Sequence, residues 1–211
     1  MDSEYAQRRK ETEAEFSWIR QIRGRQRVER SPSGNFEQMI DTYKTGKNTW
    51  EYTRGRVRES GRRQVIADVK RNFSHFWFCW ANHSNGNEYL LCGEDYQGQT
   101  IVNLTSRTTH HYFPESGHSG RGFCWTRAFP SPDSTVLAVD GCMWACPYEV
   151  VFFDFPAPDV LPYRELHRVQ DSSECRGWRD GRFELTREIE VRKSDGHPYN
   201  ELDDSEQEEL D

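Results

Sequence analysis

The 211-residue chain has few aliphatic side chains and no long apolar run. Hydrophobic residues make up 34% of it, and no stretch approaches the roughly 20 apolar residues that a membrane-spanning helix needs. The first ten residues are mostly charged or polar and lack the apolar segment of a secretory signal peptide. These absences predict a soluble, cytoplasmic protein with no membrane partner.

Known catalytic and cofactor signatures are also missing. The chain has no Walker or dinucleotide-binding glycine pattern, and no serine or cysteine lies in a nucleophile-elbow context. We therefore expect no cofactor and assign no catalytic residue. A non-enzymatic protein fits these absences better than an enzyme does.

Without a secretion signal, the six cysteines are most simply reduced thiols. Cys142 and Cys146 have a spacing that zinc ligands can use, and Cys92 falls at the matching strand end of an earlier repeat. No second close pair exists, and His110 and His111 are adjacent on a predicted strand, so they face opposite ways. We predict no metal site and keep the three cysteines only as weak candidates.

Aromatic side chains and an uneven charge are what the chain does have. It contains 7 Trp, 9 Tyr and 12 Phe, and rings that bury roughly 150–250 Å² each can build a core with little aliphatic content. Residues 1–75 carry 17 Lys and Arg against 11 Asp and Glu, whereas 76–211 carry 11 against 24. The basic front and the acidic back could attract each other or bind different partners.

Two helices are predicted near the N-terminus. The first covers 4–23 and stops at Gly24, and the second begins after Asn35 and ends at Gly46. The second has an apolar stripe at helical spacing, formed by Phe36, Met39, Ile40 and Tyr43. From Thr49 the hydrophobic period changes to two, which predicts a hairpin over 49–69.

A β-rich unit occurs twice in the middle of the chain. Phe78-Cys79-Trp80 recurs 45 residues later as Phe123-Cys124-Trp125, and four short strands are predicted in each copy, over 76–113 and 121–168. Such a period with four strands is typical of a propeller blade. A further hairpin is predicted over 177–192, around the turn Asp180-Gly181. The fold class is therefore mainly β, with antiparallel four-stranded blade-like units, flanking hairpins and two short N-terminal helices.

The second copy resembles WD40-like propeller repeats. Residues 129–139, Phe-Pro-Ser-Pro-Asp-Ser-Thr-Val-Leu-Ala-Val, look like the turn and second strand of such repeats. Residues 150–155 are similar to the third strand of such repeats, with Phe153-Asp154 where Trp-Asp is usual. Residues 101–105 resemble the same strand more weakly. The resemblance covers about 76–168, and it departs from the family in a longer loop over 141–147.

The resemblance implies binding rather than catalysis, because WD40-like domains generally act as scaffolds for protein partners. As a whole the chain also resembles uncharacterised microbial or viral proteins with such a segment. Propellers close with four to eight blades, so two clear units and two hairpins are too few for an ordinary ring. Either the units stack as a compact meander, which we favour, or copies of the chain complete each other. The oligomeric state stays open.

Three segments follow from this interpretation. Residues 1–47 form an N-terminal helical, Arg-rich segment, 48–194 form the β-repeat domain, and 195–211 form an acidic tail.

Candidate binding residues follow the second strand of each repeat. Exposed Trp and Tyr near carboxylates suit a protein-binding surface. The candidates are Glu94, Asp95, Tyr96, Asp140, Trp144 and Tyr148. Glu94, Asp95 and Asp140 lie near equivalent strand ends, so as an alternative they could form a catalytic or cation-binding rim, or simply accept hydrogen bonds from backbone amides.

Two Arg-rich stretches, 20–30 and 54–71, accompany Trp50 and Tyr52. Basic and aromatic residues together are typical of nucleic-acid binding, but acidic residues interrupt both stretches and the net charge is −7. Arginines that discourage strand-edge aggregation are the simpler interpretation. The leading hypothesis is a non-enzymatic module that binds another protein, and the alternatives are a carboxylate-rim enzyme or cation-binding protein and a nucleic-acid binder.

Overall fold

The computed structural model describes residues 3–144, 146–188, 191–192, 194 and 196–198. No helix within these ranges is both long and apolar enough to cross a membrane. The predicted acidic tail lies almost entirely outside the described residues.

Strands dominate the described part of the chain. The helices are α1 (Ser3–Glu13) and the single turn α2 (Glu115–His118). The strands are, in chain order, β1 (Arg27–Arg30), β2 (Phe36–Lys44), β3 (Glu51–Glu59), β4 (Val65–Arg71), β5 (Cys79–Asn82), β6 (Glu88–Cys92), β7 (Gln99–Asn103), β8 (Thr108–Tyr112), β9 (Phe123–Pro130), β10 (Val136–Met143), β11 (Glu149–Asp154), β12 (Glu165–Val169), β13 (Ser172–Arg179) and β14 (Arg182–Arg187).

The strands form three four-stranded antiparallel sheets and a C-terminal hairpin. The first sheet is β1–β4, the second β5–β8 and the third β9–β12, each with its strands in chain order, and the hairpin is β13–β14. This arrangement confirms a mainly β fold built from four-stranded antiparallel units. The Asp180-Gly181 turn joins the two strands of the hairpin, and both residues have positive φ, 50° and 73°, as a type I′ turn requires.

The second sheet is buried on both faces, which explains why its inner strands are apolar throughout. Side chains of a strand alternate between the two faces. Tyr89 and Leu91 of β6 pack in a cluster with the third sheet, whereas Leu90 and Cys92 pack in a cluster with the first. Each fully buried leucine of this kind contributes about 1.5–3 kcal/mol, so the face-to-face packing holds the sheets together.

The hairpin covers the other face of the third sheet. Ala138 and Cys175 lie in one cluster with the hairpin aromatics, and the Trp178 indole Nε1 donates a 2.8 Å hydrogen bond to the Phe129 carbonyl. One apolar cluster joins the first sheet to the second, another joins the second sheet to the third, and another joins the third sheet to the hairpin. Among the described residues, no cluster joins the first sheet to the hairpin. The layers therefore form an open stack.

The predicted helix over 35–46 is wrong, because this segment forms β2. The strand pairs with β3 along its whole length and with β1 on its other side. Two buried polar residues, Gln38 and Asp41, conceal the period of two in the hydrophobic pattern. Asp41 is kept buried by donors that approach from elsewhere in the sequence: Arg56, Gln21 and Gln26. Tertiary pairing here overrides a local helical pattern.

Because residues 36–44 form a strand, the predicted hairpin over 49–69 is the second half of a four-stranded sheet, so the chain has three such sheets and not two. The first predicted helix is confirmed only in its N-terminal half, because α1 ends at Glu13 and two short 3-10 turns follow. Ser17 adopts an extended conformation between these turns. Phe16 is buried there, edge-on to the rings of Tyr43 and Tyr52, so core packing ends the helix well before Gly24.

Candidate functional site

Three loops, each between the second and third strands of a four-stranded sheet, come together at one end of the stack. They are 45–50, 93–98 and 144–148. Antiparallel pairing of Thr53 with Arg71 brings the end of β4, and the segment 72–78 after it, to the same end.

Four aromatic rings meet at this end, and we call them the rim patch: Trp50, Phe73, Tyr96 and Trp144. The Phe73 ring lies at the centre, with centroids 5.5 Å from Trp50, 6.1 Å from Tyr96 and 6.3 Å from Trp144. Tyr96 and Trp144 are also 5.7 Å apart. These separations are typical of favourable aromatic pairs, so one contiguous surface combines residues from all three sheets.

The rim patch is open to solvent. Trp50 is 52% exposed and Trp144 is 56% exposed, while Phe73 and Tyr96 are half-buried. Large apolar rings at such exposure usually mark a binding surface when they are contiguous, whereas isolated exposed rings carry little meaning. Tyr148 is also exposed, at 45%, and within the described ranges it makes no ring contact with the patch.

A buried arginine holds the 93–98 loop and the segment that carries Phe73. The Arg71 guanidinium donates through Nη1 to the carbonyls of Gly93 (2.7 Å) and Asp95 (2.8 Å), and through Nε to the carbonyl of His75 (2.7 Å). Burial lowers the pKa of Arg71 to about 10, so it is still charged at neutral pH. One side chain thus ties the 93–98 loop to the segment that carries Phe73.

Asp95 is a structural residue of the 93–98 loop. Its carboxylate accepts hydrogen bonds from the Asn72 amide and from the Gln97 backbone N–H. Asn72 in turn accepts a 3.2 Å hydrogen bond from the Tyr96 backbone N–H. Asp95 therefore fixes, through Asn72, the backbone position of Tyr96, in the way that short polar side chains commonly organise turns.

Glu94 is buried beneath α1. Its carboxylate accepts hydrogen bonds from the Tyr5 hydroxyl (2.9 Å) and from Arg9 Nη2 (2.8 Å). The Nδ1 atom of His111 lies 3.4 Å from Glu94 Oε1. Burial raises the pKa of the Glu94 carboxyl and lowers the pKa of His111 to about 4. Glu94 thus anchors the N-terminal helix to the second sheet.

Asp140 does not share a site with Glu94. It lies within β10, three residues before the strand ends, whereas Glu94 follows the end of β6. The Asp140 carboxylate accepts two hydrogen bonds from Arg127, its partner on β9, at 2.8 and 2.6 Å. The expectation that the two carboxylates occupy equivalent strand ends is wrong, because the pairing of β9 with β10 continues past Asp140 to Met143.

The structure separates the three weak metal candidates. Cys92 is fully buried between the first and second sheets, and burial raises the pKa of its thiol. Cys142 and Cys146 belong to the third sheet and its loop. Among the described residues, no group of three His, Cys, Asp or Glu side chains has a geometry that could hold a metal ion.

The structure brings together two of the six predicted binding residues, Tyr96 and Trp144, and adds two that were missed. Trp50 was assigned to a strand, and Phe73 lies in a connection without a motif. Had 36–44 been recognised as a second strand, Trp50 would have been placed in the same loop position as Tyr96. No sequence signal marks Phe73.

No protein-family model matches the chain. The chain is similar to the uncharacterized protein R762 of Acanthamoeba polyphaga mimivirus, with 30% identity over 185 residues. The aligned region covers 82% of this chain and 71% of the viral protein.

Proposed function

This chain belongs to the same family as the mimivirus protein R762, and we propose that it is a non-enzymatic protein-interaction module that binds its partner through the rim patch. The observation that carries the proposal is the meeting of four rings from three sheets at one exposed surface. Tryptophan and tyrosine are enriched among the residues that dominate protein–protein binding energy.

The way the patch is held supports the proposal. Arg71 and Asp95 order the 93–98 loop, which carries Tyr96, before any partner arrives. A preorganised surface loses less conformational entropy on binding, so more of the contact energy contributes to affinity. The stacking of four-stranded antiparallel units is consistent with the proposed WD40-like character, and the six free cysteines with the proposed cytoplasmic location.

The two alternatives have less support. The carboxylates of the proposed rim site already accept hydrogen bonds from other side chains. Tyr5 and Arg9 of α1 donate to Glu94. Asn72 donates to Asp95, and Arg127 donates to Asp140. The arginines of β3 are paired with acidic residues of the same sheet, which leaves less free positive charge for a phosphate backbone. These pairs are Arg54 with Asp68, Arg56 with Asp41, and Arg58 with Glu37.

The test compares three forms of the tagged full chain in affinity capture from expressing cells, read by quantitative mass spectrometry. The Trp50→Ala, Trp144→Ala double variant removes the two most exposed rings of the patch. Trp18→Ala is the matched control, because Trp18 is 74% exposed but lies on a separate 3-10 turn.

We expect a set of proteins that wild type and the Trp18 variant both enrich, and that the double variant loses by at least about tenfold, equivalent to 1.4 kcal/mol. Circular dichroism and thermal unfolding establish that all three forms are folded. Equal enrichment by a folded double variant would overturn the proposal.

A further inference from the structure

The polar side-chain atoms of the rim patch, and of Tyr148 in the same loop as Trp144, have no hydrogen-bond partner among the residues that the structure describes. The indole Nε1 atoms of Trp50 and Trp144 and the hydroxyls of Tyr96 and Tyr148 form no hydrogen bond with any other residue that the structure describes. Tryptophan offers only a donor, and tyrosine offers a donor and an acceptor. The surface therefore presents several hydrogen-bond donors alongside its rings, and it suits a partner that is rich in acceptors.

The rings of the patch do not share one plane. The planes of Phe73 and Trp144 are inclined by 88°, those of Trp50 and Phe73 by 64°, those of Tyr96 and Trp144 by 59°, and those of Phe73 and Tyr96 by 37°. Coplanar rings would form a platform for a flat base or sugar face. Rings that meet edge to face at 5.5–6.3 Å are in contact, so the patch presents ring edges and exposed ring faces in several directions instead of one flat platform.

The loops that carry the patch are almost uncharged at their surface. Within their described residues, Lys47 is the one exposed charged side chain, because Glu94 and Asp95 are buried. The Arg71 guanidinium lies only 5.7 Å from the centroid of Phe73. A fixed positive charge beside the central ring opposes a cationic ligand such as a quaternary ammonium group, although aromatic clusters otherwise attract such ligands.

We propose that the rim patch recognises an uncharged, proline-rich segment of a partner protein in the polyproline II conformation. This inference rests on the proposed function and names the class of partner. A polyproline II segment makes no internal hydrogen bonds, so its carbonyl oxygens are free acceptors. Proline has no N–H, so the backbone of such a segment offers only hydrogen-bond acceptors and needs only donors from the surface that binds it.

Proline rings are also compact, uncharged and aliphatic, and such rings can pack on the exposed faces of Trp50 and Trp144. Because the polyproline II helix is already ordered before binding, little conformational entropy is lost on docking. An aromatic surface with indole and hydroxyl donors, carried by loops with almost no exposed charge, is therefore matched by this partner in hydrogen bonding and charge.

The experiment measures binding of a decaproline peptide to the full chain by tryptophan fluorescence and calorimetry. A length-matched Gly-Ser peptide and free choline are titrated in parallel. We expect saturable binding of decaproline that weakens at least about tenfold in Trp144→Ala and is unchanged in Trp18→Ala. Tyr96→Phe removes one donor but keeps the ring, and we expect a smaller loss there.

Decaproline binding that is equal in wild type and folded Trp144→Ala would overturn the inference, as would rim-dependent binding of choline alone. Concentration-dependent self-association that Trp144→Ala abolishes would also overturn it, since the patch would then be occupied by a second copy. If decaproline fails while captured proteins still depend on Trp50 and Trp144, this inference is wrong and the proposed function stands. If neither depends on the patch, both are overturned.

Discussion

The guanidinium of Arg71 lies 5.7 Å from the centroid of the Phe73 ring and donates hydrogen bonds to three backbone carbonyls. The residue that ends β4 thus positions both the central ring of the rim patch and the loop that carries Tyr96. Buried charge of this kind is expensive unless hydrogen-bonded, and here the hydrogen bonds connect the first two sheets.

Replacement of Arg71 by alanine should destabilise the fold strongly. The carbonyls of Gly93 and His75 lose the Arg71 donor, whereas that of Asp95 keeps the Gly98 N–H. Each buried group left unsatisfied costs about 1–3 kcal/mol, and the packing of the Arg71 side chain is lost as well. We expect the free energy of unfolding, measured in urea, to fall by at least about 3 kcal/mol. Arg54→Ala is the control, since its ion pair with Asp68 is partly exposed and should cost about 1 kcal/mol or less. Similar losses for the two variants would contradict the role assigned to Arg71.

Gly93→Ala should disturb the same loop. A Cβ at Gly93 would lie 2.4 Å from the Gly98 carbonyl oxygen and 3.1 Å from Arg71 Nη1, so backbone atoms would have to move. Gly86 offers a matched control, because its φ is +85° but a Cβ there meets nothing within 4 Å. Alanine at Gly86 should cost about 1–2 kcal/mol of conformational strain. We expect the melting temperature of Gly93→Ala to fall further, and the reverse order would contradict this.

Gln38→Met should stabilise the protein. The side chain of Gln38 is completely buried between the first and second sheets, and neither polar atom of its amide has a hydrogen-bond partner. Methionine has a similar shape and removes the desolvation penalty, so we expect a gain of about 1 kcal/mol in urea unfolding. Gln97→Met is the contrasting variant, because Gln97 Oε1 accepts a 2.7 Å hydrogen bond from the Gly122 backbone N–H; it should destabilise. A loss of stability in Gln38→Met would show that its amide is satisfied.

Stability should decline in mild acid because of His111. Burial lowers its pKa from 6.5 to about 4, so between these pH values the unfolded chain binds a proton at His111 that the folded protein does not bind. Stability from this residue is present above pH 6.5 and is lost as the pH falls toward 4. The full shift corresponds to about 3 kcal/mol. The raised pKa of neighbouring Glu94 acts with the opposite sign, since its protonation favours the folded state.

The measurement for this prediction is urea unfolding of wild type and His111→Asn between pH 7 and pH 4. The groups facing His111 are Glu94, Arg9 and Thr100, and the charge of the adjacent His110 also acts on it; all are retained in the variant. We expect the acid-induced loss to be smaller in the variant. Parallel pH profiles would assign the acid sensitivity to other residues.

The repeats of the second and third sheets were predictable because their information is local. The duplicated Phe-Cys-Trp, the apolar strands and the Asp180-Gly181 turn each specify structure within a few residues. Tyr96 and Trp144 were found for the same reason, since both follow a recognisable second strand.

The first sheet and the complete rim patch were not predictable in this way. Asp41 can be buried in β2 only because Arg56, Gln21 and Gln26 reach it from other segments, and such compensation leaves no periodic signal. Without β2, Trp50 could not be placed beside Tyr96.

The sequence alone determined a mainly β protein with repeated four-stranded units, because alternation, turn residues and repetition are encoded within short windows. Only the tertiary structure decided that residues 36–44 form a strand, that Glu94 and Asp140 belong to separate clusters, and that Phe73 joins three loops into one surface. Each of these depends on partners brought together by the face-to-face packing of sheets, a long-range interaction that no local pattern records.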